Sequence, residues 1–163
     1  MPRATLALAL AVLVAGCASG PERLIRTHAY EGPRMANDEL ATVFARWDVA
    51  RGEQTFICAV DGRSYRQGGE RGACPSVVYV SPQPHVLWVE HHAGFRVGGI
   101  LLTLHPAAGR TYLVTGRIHD SQHTFFNWHE MPHGFVLTYR DLAPDLFAKG
   151  DRPNRPVDPA DAE

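Results

Sequence analysis

Residues 85–119 read HVLWVEHHAGFRVGGILLTLHPAAGRTYLVTGRIH, and this stretch decides the fold. It holds three runs, 86–92, 97–105 and 111–119, rich in β-branched and aromatic residues and parted by short turn-forming sequences, as consecutive strands are. In the middle run Ile100, Leu102 and Leu104 fall on one side of an extended chain, with Leu101, Thr103 and His105 on the other. A core face is therefore assignable.

Working outward, the same composition continues in runs 54–60 and 76–81 on one side and 124–130 and 135–140 on the other. Residues 40–47 suit a short helix or a strand, and Val43, Phe44 and Trp47 favour the strand. The links, such as Ser81 to Pro84 and Pro106 to Gly109, are too short for anything but tight turns, so successive strands should be antiparallel neighbours. Seven or eight short strands at this spacing predict an all-β domain, an antiparallel β-sandwich or small barrel, over residues 39–149. A helical turn over 145–149 is expected to close it. The tail 150–163, with three prolines among several acidic residues, is expected to be disordered.

The amino-terminal segment carries a different kind of information. Arg3 precedes a run from Leu6 to Val14 without a polar side chain, and Ala15-Gly16 lead into Cys17, the three-part layout of a secretory signal. A span needs about 20 apolar residues, so removal of residues 1–16 is expected rather than a transmembrane helix. A branched apolar residue, two small ones and a cysteine resemble the lipobox of bacterial lipoproteins, which implies acylation of Cys17. Two or more acyl chains anchor a protein stably where one does so only marginally. Residues 17–38, with Gly20-Pro21 and Gly32-Pro33, read as the tether between lipid and domain. No acidic residue follows Cys17, which in bacteria that sort lipoproteins implies the outer membrane, periplasmic side.

The 163 residues carry 16 basic and 17 acidic side chains, a formal net charge of -1. Neither a nucleic-acid partner nor an anionic surface is indicated. In an oxidising compartment Cys58 and Cys74 form an even pair once Cys17 is lipidated, so a disulfide is expected across their polar, glycine-rich loop. Closing about 15 residues contributes roughly 3 kcal/mol in the chain-entropy account.

Several turn and core features are similar to those of uncharacterised bacterial envelope lipoproteins that carry a small PEGA-like β-sandwich. They are Tyr30-Glu31-Gly32-Pro33, Val60-Asp61-Gly62, Pro84-His85, Ala108 to Tyr112, and Trp128 before an acidic turn. The resemblance implies a fold and an envelope location, and no catalytic residues.

Two patterns invite chemistry. His129-Glu130-Met131-Pro132-His133 matches the zinc-protease motif, which needs a helix to put both imidazoles on one face. Pro132 inside that turn, where a proline costs about 3 kcal/mol, together with Gly134 and strand-like flanks, predicts a hairpin turn instead. The nine histidines are a second pattern. If 85–140 runs up and down, His91, His92, His119 and His123 gather at one end of the sheet, and His85, His105, His129 and His133 at the other. The first group is the candidate zinc or copper site, since neutral imidazole is the commonest ligand for such ions. There is no nucleophile elbow, phosphate loop or dinucleotide fingerprint. Trp47, Trp88 and Trp128 read as core or sheet-face residues. The functional expectation is a non-catalytic, lipid-anchored accessory or binding module of the envelope, with a protein or the cell wall as partner; the alternative is a periplasmic zinc or copper binder.

Overall fold

A computed structural model describes residues 26–67, 73–120, 123–147 and 155–161. Ten strands form two sheets: β1 (Arg26–His28), β2 (Ala41–Ala45), β3 (Trp47–Asp48), β4 (Glu53–Val60), β5 (Arg63–Ser64), β6 (Val77–Val80), β7 (His85–Ala93), β8 (Arg96–Leu104), β9 (Thr111–Ile118) and β10 (Thr124–Glu130). The first sheet has the order β1-β6-β2-β9-β10; the second has β3-β4-β7-β8, with β5 added to β4. Two short helices, α1 (Tyr139–Leu142) and α2 (Pro144–Phe147), and a 3-10 turn at Pro159–Asp161 complete it. None of these helices is long and apolar enough to cross a membrane.

The two sheets pack face to face as a β-sandwich. Between them lie Ala41, Val43, Ile57, Val78, Leu87, Val89, Leu104, Tyr112 and Val114. A second cluster, with Phe44, Val77, Tyr79, Leu113, Leu137, Leu142 and Val157, occupies the opposite face of the first sheet. That sheet is thus covered on both sides, which is why consecutive residues rather than alternate ones are buried in β2 (Val43 to Ala45), β6 (Val77 to Val80) and β9 (Tyr112 to Val114). Among the described residues, the second sheet packs a hydrophobic cluster against one face only. In β7 the buried residues His85, Leu87, Val89 and His91 alternate with Val86, Trp88, Glu90 and His92, and of these the first two stand exposed.

Several expectations change. The sheets are not purely antiparallel: β1 runs parallel to β6 and β2 parallel to β9. Consecutive strands β8 and β9 lie in different sheets, so residues 85–140 are two hairpins facing each other and not one up-and-down run. The folded part begins within the segment read as tether, since Arg26–His28 pairs with Val77–Tyr79 through the backbone. This polar triplet has no apolar signature of its own. Residues 135–140 are not a strand; a turn is followed by α1, where Thr138 and Asp141 form a capping box. The helical turn expected at 145–149 begins earlier, at Pro144. Finally, part of the expected disordered tail is packed. Val157 is buried, its N–H donates to Leu137 at 2.9 Å, and Arg155 lies over the Tyr139 ring at 5.0 Å. Val157 joins the cluster of Phe44, Val77, Tyr79, Leu113, Leu137 and Leu142 that covers the outer face of the first sheet, so a single apolar residue among prolines and acids is enough to hold the segment there.

The turns follow local chemistry. Asp61 and Gly62 both take positive φ, 51° and 81°, as a two-residue hairpin turn between β4 and β5 requires. Gly94, at φ 60°, does the same between β7 and β8.

Candidate functional site

The four histidines expected to share a metal lie in four different settings. His91 points between the sheets and is buried, whereas His92, its neighbour on the strand, points outward. His119 packs edge-on against Phe125 at 5.6 Å, and His123 pairs with Asp120 at 2.9 Å in the turn between β9 and β10. The cause is the period of two in β7 together with the passage of the chain from one sheet to the other after β8. Among the described residues, the one group of three potential ligand atoms within 4.8 Å is Cys58, Cys74 and Glu90. Its two sulfurs are at bonding distance from each other, 2.10 Å. The cysteine pairing read from the sequence is therefore the one found. Cys17 lies outside the described residues.

The other histidine group is equally dispersed. His105, His129 and His133 are exposed. His129 and Glu130 end β10, Glu130 pairs with Arg110, and the chain then turns, with Phe135 N–H donating to Pro132 at 3.0 Å. The zinc-protease pattern is extended backbone and a turn, not a helix.

His85 is buried at the opposite end of β7 from His91. Its Nδ1 meets Asp61 Oδ2 at 2.6 Å, and its Nε2 lies 2.9 Å from the Ser81 carbonyl oxygen and 3.2 Å from the Ser81 hydroxyl. The outline is that of a nucleophile, base and orienting acid. The geometry differs from it, because His85 Nε2 lies closer to the Ser81 carbonyl oxygen than to the hydroxyl, so the hydroxyl is not the nearest partner of the imidazole. His85 instead clamps two turns together, with Asp61 also accepting from Val86 N–H at 2.9 Å. Partial burial raises the Asp61 carboxyl, but these donors outweigh it and hold the group below its ordinary 3.8.

On the outer face of the second sheet, Glu90 is a hub. It accepts from Arg66 Nη2 at 2.5 Å, from Trp88 Nε1 at 2.9 Å and from His92 Nε2 at 3.0 Å. Burial pushes its carboxyl up, and the three donors together bring it below 4.5. Cys58, the extra residue at the bulge in β4, ties this face through its disulfide to Cys74 in the segment that leads into β6. Around the hub the surface is apolar. Trp88 is 37 % exposed and Leu101, its cross-strand partner, 65 %; Val97 is 60 %, Val86 41 % and Phe95, in the hairpin turn, fully exposed. The Trp88 ring lies over Gly99, where a Cβ would come within 2.6 Å of it. β8 ends its sheet, and residues 97–104 carry no charge.

At the far end of β7, His91 opens on a cleft of about 180 Å³ between the start of β4 and the end of β9. Thr55 Oγ1 accepts from Gly116 N–H at 3.0 Å and meets His91 Nδ1 at 3.0 Å; with the Glu53 carboxylate on the Nε2 side, the neutral imidazole carries its hydrogen on Nε2, toward the acid, and takes the Thr55 proton on Nδ1. That nitrogen is buried without a hydrogen-bond partner; the nearest acid, Glu53 Oε2, is 3.6 Å away. Burial lowers the His91 pKa below 6.5 despite Glu53.

The sequence reading missed Glu90, Arg66 and Glu53, and took Trp88 for a sheet-face residue without a role. Alternation in β7 was the available signal: Trp88, Glu90 and His92 share a phase opposite to Leu87 and Val89. No protein-family model matches the chain, and neither a curated protein nor a solved structure does.

Proposed function

We propose that this chain is a non-catalytic binding module of the cell envelope, held at the periplasmic side of the outer membrane by acylated Cys17, and that its docking surface for a partner protein is the outer face and free edge of the β7–β8 hairpin. One observation carries the reading. Of the large apolar side chains exposed among the described residues, Val86, Trp88, Val97 and Leu101 stand on that outer face and Phe95 in its turn, Ile100 lies on the same hairpin but on the inner side opposite Val89, and only Phe125 and Val136 lie elsewhere. A concentration of apolar surface beside an edge strand without lysine or proline is a feature that monomeric proteins avoid. An extended segment added to β8 would gain ladder hydrogen bonds and cover these side chains together.

The anchor rests on the composition of residues 1–17, and the resemblance to small envelope lipoproteins on the turn and core residues between Tyr30 and Trp128. Mass spectrometry of the native product tests it: a diacylated or triacylated amino-terminal Cys17 is expected, and an unmodified chain starting at Met1 contradicts it. For the surface, Leu101→Asp should abolish recovery of the partner after mild crosslinking in the envelope, while Val136→Asp, at an equally exposed apolar position on the other side of the molecule, should not.

A further inference from the structure

The cleft at His91 is independent of the apolar face and asks for a different kind of ligand. It presents a donor, His91 Nε2–H, and an acceptor, the Glu53 carboxylate, 3.6 Å apart and too far for each other. Its rim is cationic. Arg51 is shared with Asp48 at 3.5 Å, and Arg46 and Arg117 have no ion-pair partner among the described residues. An orphaned, buried N–H loses the hydrogen bond it would have in water, so a ligand that accepts from it recovers that loss.

The ligand must meet three conditions at once. It must accept from Nε2–H, donate to Glu53, and bring negative charge to the guanidinium groups. A neutral alcohol fails the last condition. Sulfate or a simple carboxylate fails the second, because it would set an oxygen lone pair against the Glu53 carboxylate. We propose that the cleft binds a small anion bearing its own hydroxyl group, of the hydrogen phosphate or hydroxy-acid class, with His91 and Arg117 donating and Glu53 accepting. A phosphomonoester and a sugar acid share this chemistry, and a cleft of about 180 Å³ admits the head of either.

The test is a titration of the full chain in detergent, read by the imidazole resonances of His91, with four probes: inorganic phosphate, glucuronate, sulfate and acetate. Phosphate or glucuronate should shift His91 saturably while sulfate and acetate leave it in place, and the probe that acts identifies the source. Sulfate or acetate acting as strongly as the hydroxyl-bearing probes, or no probe acting, overturns the proposal. Arg117 is exposed, so Arg117→Ser keeps the fold, which the unchanged remaining resonances verify. It should weaken the response by about tenfold, the loss of one hydrogen bond from a charged donor. An unaltered affinity in Arg117→Ser also overturns the assignment.

Discussion

Trp88 donates its indole N–H to Glu90 at 2.9 Å, joining two side chains that leave the same face of β7 two positions apart. The bond draws the ring down along the sheet and across Gly99, so a large aromatic surface stays both exposed and fixed. Rigid aromatic area costs little conformational entropy when a partner covers it.

Glu90 is the member of this face whose loss should be felt most. Glu90→Ala leaves Arg66 and His92 facing a missing acceptor in a half-covered site and should destabilise the fold by about 2 kcal/mol. Glu90→Gln, which keeps one acceptor oxygen, should cost less. Urea denaturation of the two variants checks the order.

Removing the Cys58–Cys74 bond should lower stability by about 3 kcal/mol, because the loop it closes is polar and glycine-rich and gains freedom in the unfolded chain. The sequence separation is 16 residues. Thermal unfolding with and without reductant, and of Cys58→Ser/Cys74→Ser, should give the same loss.

Acid should destabilise the protein in two stages. Burial keeps folded His91 from taking a proton at its ordinary 6.5, so as pH falls below that value the unfolded chain binds the proton first and stability declines. Glu90 and Asp61 act lower. Their folded carboxyls sit below 4.5 and 3.8, so the stability they contribute is complete above those values and is lost as pH falls through the folded ones. His91→Gln should remove the first stage and leave the second, as urea titrations at a series of pH values would show.

The carboxy-terminal segment is predicted to be structural. Cutting before Arg155 removes Val157 and exposes Leu137 and Leu142, and should cost about 2 kcal/mol for the apolar area returned to water. Increased binding of a hydrophobic dye with a lower melting temperature would accompany it. An unchanged melting temperature would mean that the segment merely rests on the domain.

The strands of the β7–β8 hairpin were legible because their apolar residues and turn signals agree, with Gly94 where a positive φ is needed. The allocation of strands to sheets was not. Nothing in Pro106 to Gly109 distinguishes a hairpin turn from a step between sheets, and the expected histidine cluster depended on that difference. Arg26–His28 and Val157 escaped notice because each is defined by what it pairs with rather than by its own side-chain pattern. The cleft at His91 required knowing that Thr55 and Gly116 face each other across the sandwich, 61 residues apart in sequence.

The central claim, that the exposed β7–β8 face is a docking surface, is tested most directly by photocrosslinking in the native envelope from an unnatural side chain at Leu101. A substitution at so exposed a position should alter stability by no more than about 0.5 kcal/mol. The account predicts one discrete protein adduct from Leu101 and none from Val136. The same diffuse labelling from both positions, or no adduct from Leu101, would contradict it.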